Sequence, residues 1–200
     1  MSYQLKYRTL AEALYDALTE DSFYISMEAT IAKQHNPKES MLKYLDYSIC
    51  EAEDYGEVFI PDDHSGVAIW SKPISVAQTK NKEQQRKDFL ESELGVGCLE
   101  TYLAIVDFMS QKSEQIIPND DWYLSIVGLA PEFQNQGLGA GLIEPMFKHT
   151  DSLGVATYLE TFTPRNMSFY QKIGFQEIAS FFEPTCQSEY FIMQRPADNF

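Results

Sequence analysis

Three closely spaced residues, Gln134, Gly137 and Gly139, carry the clearest chemical signal in this sequence. Glycines without side chains let the backbone approach a ligand closely. The apolar residues between Leu142 and Phe147 recur at helical spacing, which predicts that a helix follows the loop. The first amides of such a helix point outward unpaired, with the positive end of the helix dipole behind them. The segment therefore predicts an anion site suited to phosphate.

Two other phosphate-binding motifs can be compared with this loop. A Walker loop is excluded because no Gly-Lys-Ser/Thr follows the glycines. A dinucleotide-binding fingerprint fails because its third glycine position is Leu142. Glu160 does lie about 20 residues downstream, as that fingerprint requires, but only about 40 residues remain after it, too few for the second half of such a domain.

The segments around the loop predict a crossover between two parallel strands. The apolar run Trp122–Leu129 predicts one strand, Gly154 predicts the end of the helix, and the β-rich run Val155–Thr161 predicts a second strand. A helix of about 13 residues spans roughly 20 Å and a strand of about seven residues roughly 23 Å, so the chain returns to the edge it left. The glycine loop and the loop at residues 163–168 then meet at the carboxyl ends of adjacent strands, where open α/β sheets bind ligands.

The Gln-x-x-Gly-x-Gly pattern in this context resembles the pyrophosphate-binding loop of the GNAT superfamily of acetyl-CoA-dependent N-acyltransferases. It follows a strand ending in Leu129-Ala130-Pro131 and precedes Pro164-Arg165-Asn166, Phe169-Tyr170 and Gly174-Phe175. The run LETFTPRNMSFYQKIGF is similar to the puromycin N-acetyltransferase branch. The resemblance covers about the last 80 residues, and the first 120 carry no comparable signature.

The resemblance implies a fold and an organisation for the chain. The implied fold is an α/β GNAT-like fold, with a mixed central β-sheet flanked by helices and a parallel strand-helix-strand crossover that binds the cofactor. We expect a single N-acetyltransferase domain over residues 1–200. Within it, residues 122–175 would form the cofactor-binding core, residues 8–118 the acceptor-side helices and hairpin, and residues 175–195 a C-terminal hairpin.

The resemblance also implies where acetyl-CoA binds. Amides from Gln134 to Ala140 would hold the pyrophosphate, and an amide near Leu129 or Ala130, left unpaired where the central strands separate, would bind the thioester carbonyl as an oxyanion donor. Asn166 either bonds the pantetheine arm or caps a helix. The residues expected at the cofactor are Val127, Leu129, Ala130, Gln134, Asn135, Gln136, Gly137, Leu138, Gly139, Ala140, Asn166 and Phe169.

Acyl transfer from a thioester requires a proton donor and a proton acceptor. Tyr170 matches the tyrosine of the family's Asn-x-x-x-Tyr-x-x-x-Gly-Phe pattern, which implies that it protonates the departing thiolate; the alternative is a tyrosine packed in the core. A phenol with a pKa of about 10 can protonate a thiolate whose thiol has a pKa of roughly 8.5. The general base stays open between Glu160, Asp120 or Asp121, and a water chain.

The preceding part of the chain is expected to wall the acceptor site. A first helix is predicted over Arg8–Glu20, with Thr9 and Glu12 as a capping box. A second helix is predicted from Pro37 to just before Gly56.

A hairpin is predicted from strands 56–60 and 66–70. Trp70, at its end, either lines the acceptor pocket or packs in the core. The charged segment 79–94 predicts a solvated helix or a mobile insertion, and a buried helix follows over residues 99–109. Asp121 either faces the acceptor amine or lies in a solvated turn.

Charge and composition narrow the classes of partner. The chain has 30 acidic and 15 basic residues and a formal net charge of -15, so neither nucleic acid nor an anionic membrane is an expected partner. The acidity either keeps the surface soluble or attracts a cationic amine. Cys50, Cys98 and Cys186 are widely spaced and odd in number, and no histidine joins them in a metal-binding pattern, so we expect no metal and a cytoplasmic location. The amino-terminal segment lacks the apolar core of a signal peptide. Exposed sheet edges make either a monomer or a homodimer the expected state.

These observations lead to one expected function and two alternatives. The expected function is transfer of an acetyl group from acetyl-CoA to a primary amine, by direct attack through a tetrahedral intermediate. A small-molecule amine is favoured, and the puromycin-like motifs suggest an aminonucleoside-like compound, while a protein amino terminus or lysine stays open. The alternatives are a non-catalytic acyl-CoA-binding sensor or regulatory protein on the same fold, and an interaction module whose glycine loop is structural.

Overall fold

The protein folds around one mixed six-stranded sheet with the strand order β1-β2-β3-β4-β6-β5. The structure is a computed structural model in which residues 3–198 are described. The strands are β1 Gly56–Phe59, β2 Gly66–Ser71, β3 Trp122–Leu129, β4 Thr157–Thr161, β5 Gln176–Glu183 and β6 Ser188–Arg195. The helices are α1 Arg8–Ala17, α2 Ser22–Ala29, α3 Pro37–Tyr55, α4 Val76–Glu93, α5 Val96–Ser113, α6 Gly139–Leu153 and α7 Pro164–Lys172.

The predicted crossover is confirmed. Strands β3 and β4 are parallel, helix α6 connects them, and Gly154 ends the helix in a left-handed conformation at φ 68°. The remaining neighbouring strands are antiparallel, including the predicted β1–β2 and β5–β6 hairpins. The crossover therefore places the start of α6 beside the carboxyl end of β3, as the chain geometry predicts.

Strands β3 and β4 separate after a short paired section. Their register runs from Trp122 opposite Thr157 to Leu124 opposite Leu159. At the same level β3 shifts its register against β2, and the Ser125 hydroxyl donates a hydrogen bond to the Ile69 carbonyl at 3.1 Å. An extra residue in one strand bends it. Beyond the bulge β3 stays with β2, so a gap opens between β3 and β4.

Side chains on the two faces of the sheet form separate cores. Ile69 and Ile126 pack with the helices α1 to α5 on one face. Trp70, Leu124 and residues of α6 and α7 pack on the other. Neighbouring residues in a strand point to opposite faces, which separates Ile69 from Trp70, and the bulge at Ser125 explains why Leu124 and Ile126 do not share a face. The gap therefore opens beneath the helix-rich face.

The amino-terminal helices agree with prediction in position but not in every detail. Helix α3 begins at Pro37, where the Asn36 side chain accepts a hydrogen bond from the Glu39 amide at 3.0 Å. Helix α1 ends at Ala17, and the predicted capping box does not form, because the cap residue is Tyr7 without a side-chain cap. The Tyr7 amide instead donates to the Asp46 carboxylate on α3. A long-range contact thus replaces the local cap.

Helix α2 was not predicted from the sequence. Asp21 caps it by accepting a hydrogen bond from the Phe23 amide at 2.9 Å. An aspartate ahead of a short apolar run was the available signal. The charged segment forms helix α4, with a capping box between Ser75 and Gln78, so the helical alternative is the one observed. Helix α5 confirms the predicted buried helix.

Candidate active site

A cavity of about 310 Å³ occupies the gap between β3 and β4 and continues beneath the helices. Strand residues 123–127 and 158–161 form its floor, and residues of α2, α3, α4 and α5 form its walls. Glu160, Asn166 and Tyr170 all line it. The tertiary structure therefore brings one candidate for the general base and the predicted proton donor to one space.

Glu160 faces this cavity near the end of β4. Its Oε1 atom is buried and has no hydrogen-bond partner among residues 3–198. Burial raises the pKa of its carboxyl to about 7, although a hydrogen bond from Tyr123 acts in the opposite direction. A carboxylate with a pKa near 7 can accept a proton from an amine and return it to solvent at neutral pH.

Tyr170 lies on α7 and is buried. Its ring packs edge-on against Phe175, with 6.1 Å between the ring centroids, while the side chain also lines the cavity. Burial raises the pKa of its hydroxyl, and the negative charge of Asp21 raises it further. The phenol therefore stays protonated at neutral pH. A buried position in the core and contact with the cavity are therefore compatible with each other.

The glycine loop has the open shape that a bound anion requires. Gly137 is left-handed at φ 77°, and a Cβ atom added to it would meet nothing within 4 Å. Gln134 fixes the loop by donating from its side-chain amide to the Leu129 carbonyl at 3.0 Å. At Gly139, an added Cβ would lie 3.0 Å from the Phe169 ring, so this glycine permits close packing between the loop and α7.

The start of α6 supplies free hydrogen-bond donors next to that open space. The helix begins at Gly139, and its cap residue, Leu138, makes no side-chain cap hydrogen bond. The first amides of a helix lack a partner one turn earlier in the helix. The Gly141 amide donates to the Leu138 carbonyl at 3.1 Å, which, within the described residues, leaves the amides of Gly139 and Ala140 as the free donors. A Cβ atom added at Gly141 would also meet nothing within 4 Å. These uncapped amides and the clear space around Gly137 and Gly141 fit the pyrophosphate of a coenzyme A thioester.

The strand amides predicted as oxyanion donors differ in availability. The Ala130 amide donates to the Ser65 carbonyl at 2.9 Å, so it is already bonded and the prediction for its amide is corrected. Alternate amides of a strand point to the same side. The amides of Leu129 and Val127 therefore face away from β2, toward the side from which β4 has diverged. These two amides are the candidates to bind a carbonyl oxygen.

The structure does not bring Trp70 or Asp121 to the cavity. Trp70 is fully buried on the opposite face of the sheet, where its ring lies 6.3 Å from that of Phe147 between centroids. The core alternative is therefore the one that its position supports. Asp121 precedes the amino end of β3 and accepts a hydrogen bond from the Gln194 side chain at 2.6 Å. Neither residue lines the space that holds Glu160.

Several cavity residues were not singled out in the sequence. Tyr123 stacks on Tyr158 with 4.8 Å between ring centroids, and both form the floor beside Glu160. Lys82 and Arg86 reach the wall from α4. Their spacing of four residues places them on one face of a helix, which was the available signal.

Two features of the described chain complete the description of the site. No helix within residues 3–198 is both long and apolar enough to cross a membrane. Over the same residues, no group of three or more His, Cys, Asp or Glu side chains is arranged to hold a metal ion.

Comparison with known sequences finds acetyltransferases. The model of the Acetyltransferase (GNAT) family matches residues 88–175, which include β3, the glycine loop, α6, β4 and α7. An uncharacterized N-acetyltransferase of Schizosaccharomyces pombe is 26% identical over 176 residues, covering 84% of this chain and 70% of that protein. The match to the family model includes the residues of the glycine loop and the Asn166–Phe175 pattern, and both comparisons support the GNAT acetyltransferase family.

Comparison with solved structures finds the same architecture over nearly the whole chain. A structure from Corynebacterium glutamicum, described as histone acetyltransferase HPA2 and related acetyltransferase, has a TM-score of 0.62 at 18% identity and covers 98% of this chain and 94% of its own. Arylalkylamine N-acetyltransferase 2 of Aedes aegypti has a TM-score of 0.63 at 11% identity, with 99% and 98% covered. These identities are low, so the two likenesses show the fold, which is the predicted GNAT fold.

Proposed function

Starting from the finding that this chain is an acyltransferase with the GNAT fold, we propose that it transfers an acetyl group from acetyl-CoA to a primary amine of a small molecule. The observation that carries the proposal is the cavity in the gap between β3 and β4, which Glu160 and Tyr170 both line. Acetyl-CoA supplies the activated acetyl group as a thioester. The remaining chemistry is proton transfer and charge stabilisation, for which this chain provides the groups.

Glu160 prepares the acceptor. An amine enters the cavity as an ammonium ion, and the Glu160 carboxylate accepts one of its protons, directly or through a water molecule. The neutral nitrogen then attacks the thioester carbonyl carbon. The stacked Tyr123 and Tyr158 rings beside Glu160 restrict access of solvent to the carboxylate, which is consistent with its raised pKa.

The two remaining requirements fall to β3 and α7. Negative charge that develops on the carbonyl oxygen is stabilised by the amides of Val127 and Leu129, which face the gap. The carbon–sulfur bond breaks as the acetyl group passes to nitrogen, and the Tyr170 hydroxyl donates its proton to the departing sulfur. The nitrogen loses its second proton to solvent as the intermediate collapses. Tyr170 recovers a proton from solvent, and Glu160 releases the one it accepted, so the catalytic groups return to their initial states and one proton is released overall.

Cavity size supports a small acceptor. A volume of about 310 Å³ lies at the lower end of the range for small-molecule sites, roughly 300–1,000 Å³. The similar Aedes aegypti structure is named an arylalkylamine N-acetyltransferase, which is consistent with such an acceptor. An aminonucleoside-like amine, as in the puromycin-acetylating branch, is one member of the class to be tested.

The experiment combines binding with turnover. Calorimetric titration with acetyl-CoA should give saturable binding, with NAD as the control ligand. A panel of primary amines should then release CoA, detected as free thiol, with the acetylated amine identified by mass spectrometry. Saturable binding without turnover of any amine would instead indicate a sensor of acyl-CoA, and absence of binding to acetyl-CoA or longer acyl-CoAs would overturn the proposed function.

A further inference from the structure

The wall of the cavity formed by α3, α4 and α5 carries a cluster of charged and polar side chains: Glu51, Lys82, Arg86 and Tyr102. Arg86 binds both oxygens of the buried Glu51 carboxylate, through Nε at 2.8 Å from Oε1 and through Nη2 on Oε2. Arg86 and Glu51 therefore neutralise each other. The Arg86 guanidinium also contacts both oxygens of the Glu51 carboxylate, because its two parallel N–H groups match the spacing of the oxygens.

Lys82 is left as the excess cation of this cluster. Its Nζ forms an ion pair with Glu51 Oε2 at 3.7 Å, which is too long for a hydrogen bond, and it donates no hydrogen bond within residues 3–198. The side chain is only 18% exposed. Burial lowers the pKa of the ammonium group, although the negative charge of the exposed Glu83 acts in the opposite direction. A half-buried ammonium with three unused donors is suited to bind an anion.

Tyr102 provides a second donor next to it. The Tyr102 hydroxyl accepts a hydrogen bond from Arg86 Nη1 at 2.6 Å, so its own proton is free for another acceptor. The residue is buried on α5 and lines the cavity. Lys82 and Tyr102 thus both contact the Arg86–Glu51 pair, and both have unused hydrogen-bond donors at this wall of the cavity.

The excess charge near Glu160 and Tyr170 is negative, which is opposite in sign to the charge of Lys82. Arg165 pairs with Glu20 at the mouth of the cavity. Asp21 accepts hydrogen bonds from the Phe23 amide and the Thr163 hydroxyl, and neither Asp21 nor Glu160 forms an ion pair with a lysine or arginine in the described part of the chain. The cavity therefore has carboxyl groups without ion-pair partners on one side and, on the other, an excess cation that shares its nearest carboxylate with Arg86.

We propose that the acceptor is an amine that also carries a carboxylate, bound with its amine at Glu160 and its carboxylate at Lys82 Nζ and the Tyr102 hydroxyl. This inference rests on the proposed function and names its substrate class. One excess cation matches a monoanion better than a phosphate dianion. A simple alkylamine would leave the Lys82 ammonium without a partner, and a diamine would place a second positive charge beside it.

The test uses matched pairs of amines with CoA-saturated protein, in which turnover is absent. Each pair consists of an ω-amino acid and the alkylamine in which a methyl group replaces the carboxylate, over a series of increasing chain length. Calorimetry should show that at least one amino acid of the series binds about 10- to 100-fold more tightly than its alkylamine, the effect of one hydrogen bond to a charged group. The kcat/KM for acetylation should also be higher for that amino acid than for its matched alkylamine.

Variants of two lysines on α4 show whether Lys82 causes the preference for the carboxylate. Lys82→Met should remove the preference and leave the affinity for acetyl-CoA unchanged, while Lys82→Arg should retain most of it. Lys80→Met is the matched control, because Lys80 is exposed on the same helix and does not line the cavity. It should behave as the wild type.

Three binding results would overturn the inference: equal binding of acids and alkylamines, tighter binding of the corresponding diamines, or a preference that Lys82→Met does not change. Acetylation of alkylamines without any preference would overturn it and leave the proposed function intact. A carboxylate preference in binding without acetylation of any amine would support this site and count against the proposed function.

Discussion

Replacing Glu160 by glutamine should stabilise the ligand-free protein at alkaline pH while it lowers activity. Burial holds the Glu160 pKa at about 7, compared with 4.5 for an ordinary glutamate. Between these two values the unfolded chain has lost the proton and the folded protein still holds it. Because the folded state binds more protons, stability falls as pH rises through this window. Glutamine carries no titrating proton, so the variant lacks this loss.

The size of the effect follows from the shift in pKa. Each pKa unit corresponds to about 1.4 kcal/mol, so the displacement of Glu160 corresponds to roughly 3 kcal/mol. The difference in unfolding free energy between Glu160→Gln and the wild type should therefore grow by that order between about pH 4 and about pH 9. In the same variant, kcat/KM at neutral pH should fall by about 10²- to 10⁴-fold, and the limb of the pH profile near pH 7 should disappear.

Urea unfolding at acidic and alkaline pH measures the first effect, and acetylation rates across the same range measure the second. Glu177→Gln is the matched control, because Glu177 is exposed on the edge strand β5. It should show neither the pH-dependent gain in stability nor the loss of activity. A Glu160→Gln variant whose stability differs from the wild type by the same amount at both pH values would refute the assignment of a proton to the buried carboxyl.

Three further predictions test other parts of the site. Tyr170→Phe should leave the affinity for acetyl-CoA nearly unchanged and lower kcat by about 10²-fold or more, and an unchanged rate at all pH values would remove its hydroxyl from the mechanism. Gly137→Ala should lower the unfolding free energy by about 1 kcal/mol because residue 137 is left-handed. Gly141→Ala, in the first turn of α6, should instead raise it by up to about 1 kcal/mol. Equal effects of the two substitutions in urea titrations would contradict the backbone argument. Trp70→Ala should lower the unfolding free energy by about 3–5 kcal/mol. If Trp70→Tyr or Trp70→Phe changed the KM for the amine without changing stability, Trp70 would belong to the acceptor site after all.

Much of the cofactor half could be predicted because its signals are local. The apolar run Trp122–Leu129, the glycines of the loop and Gly154 each restrict the backbone within a few residues, and together they predict a parallel crossover. Steric rules leave such a crossover one preferred hand. The meeting of the glycine loop with the Asn166–Tyr170 segment then follows from element lengths, without knowledge of any side-chain contact.

Features that depend on contacts between distant segments could not be predicted in the same way. Thr9 and Glu12 satisfy the local rule for a capping box, but the Tyr7 amide binds Asp46 instead, a residue of another helix. Trp70 satisfies the pattern of a strand next to the crossover strand, yet only its register against β3 decides which face it occupies. For Ala130, the partner on β2 decides whether the amide is free.

The sequence by itself determined the strand–loop–helix–strand unit, the open backbone at Gly137 and the presence of Glu160 and Tyr170 near its carboxyl edge. Only the tertiary structure decided that β3 and β4 separate after Leu124, that Glu160 loses its solvent there, and that Lys82 is left as an excess cation without a hydrogen bond beside the Arg86–Glu51 pair. The physical reason is the distance along the chain over which each effect acts. Backbone preferences act over a few residues, whereas desolvation and ion pairing depend on which distant segments pack together.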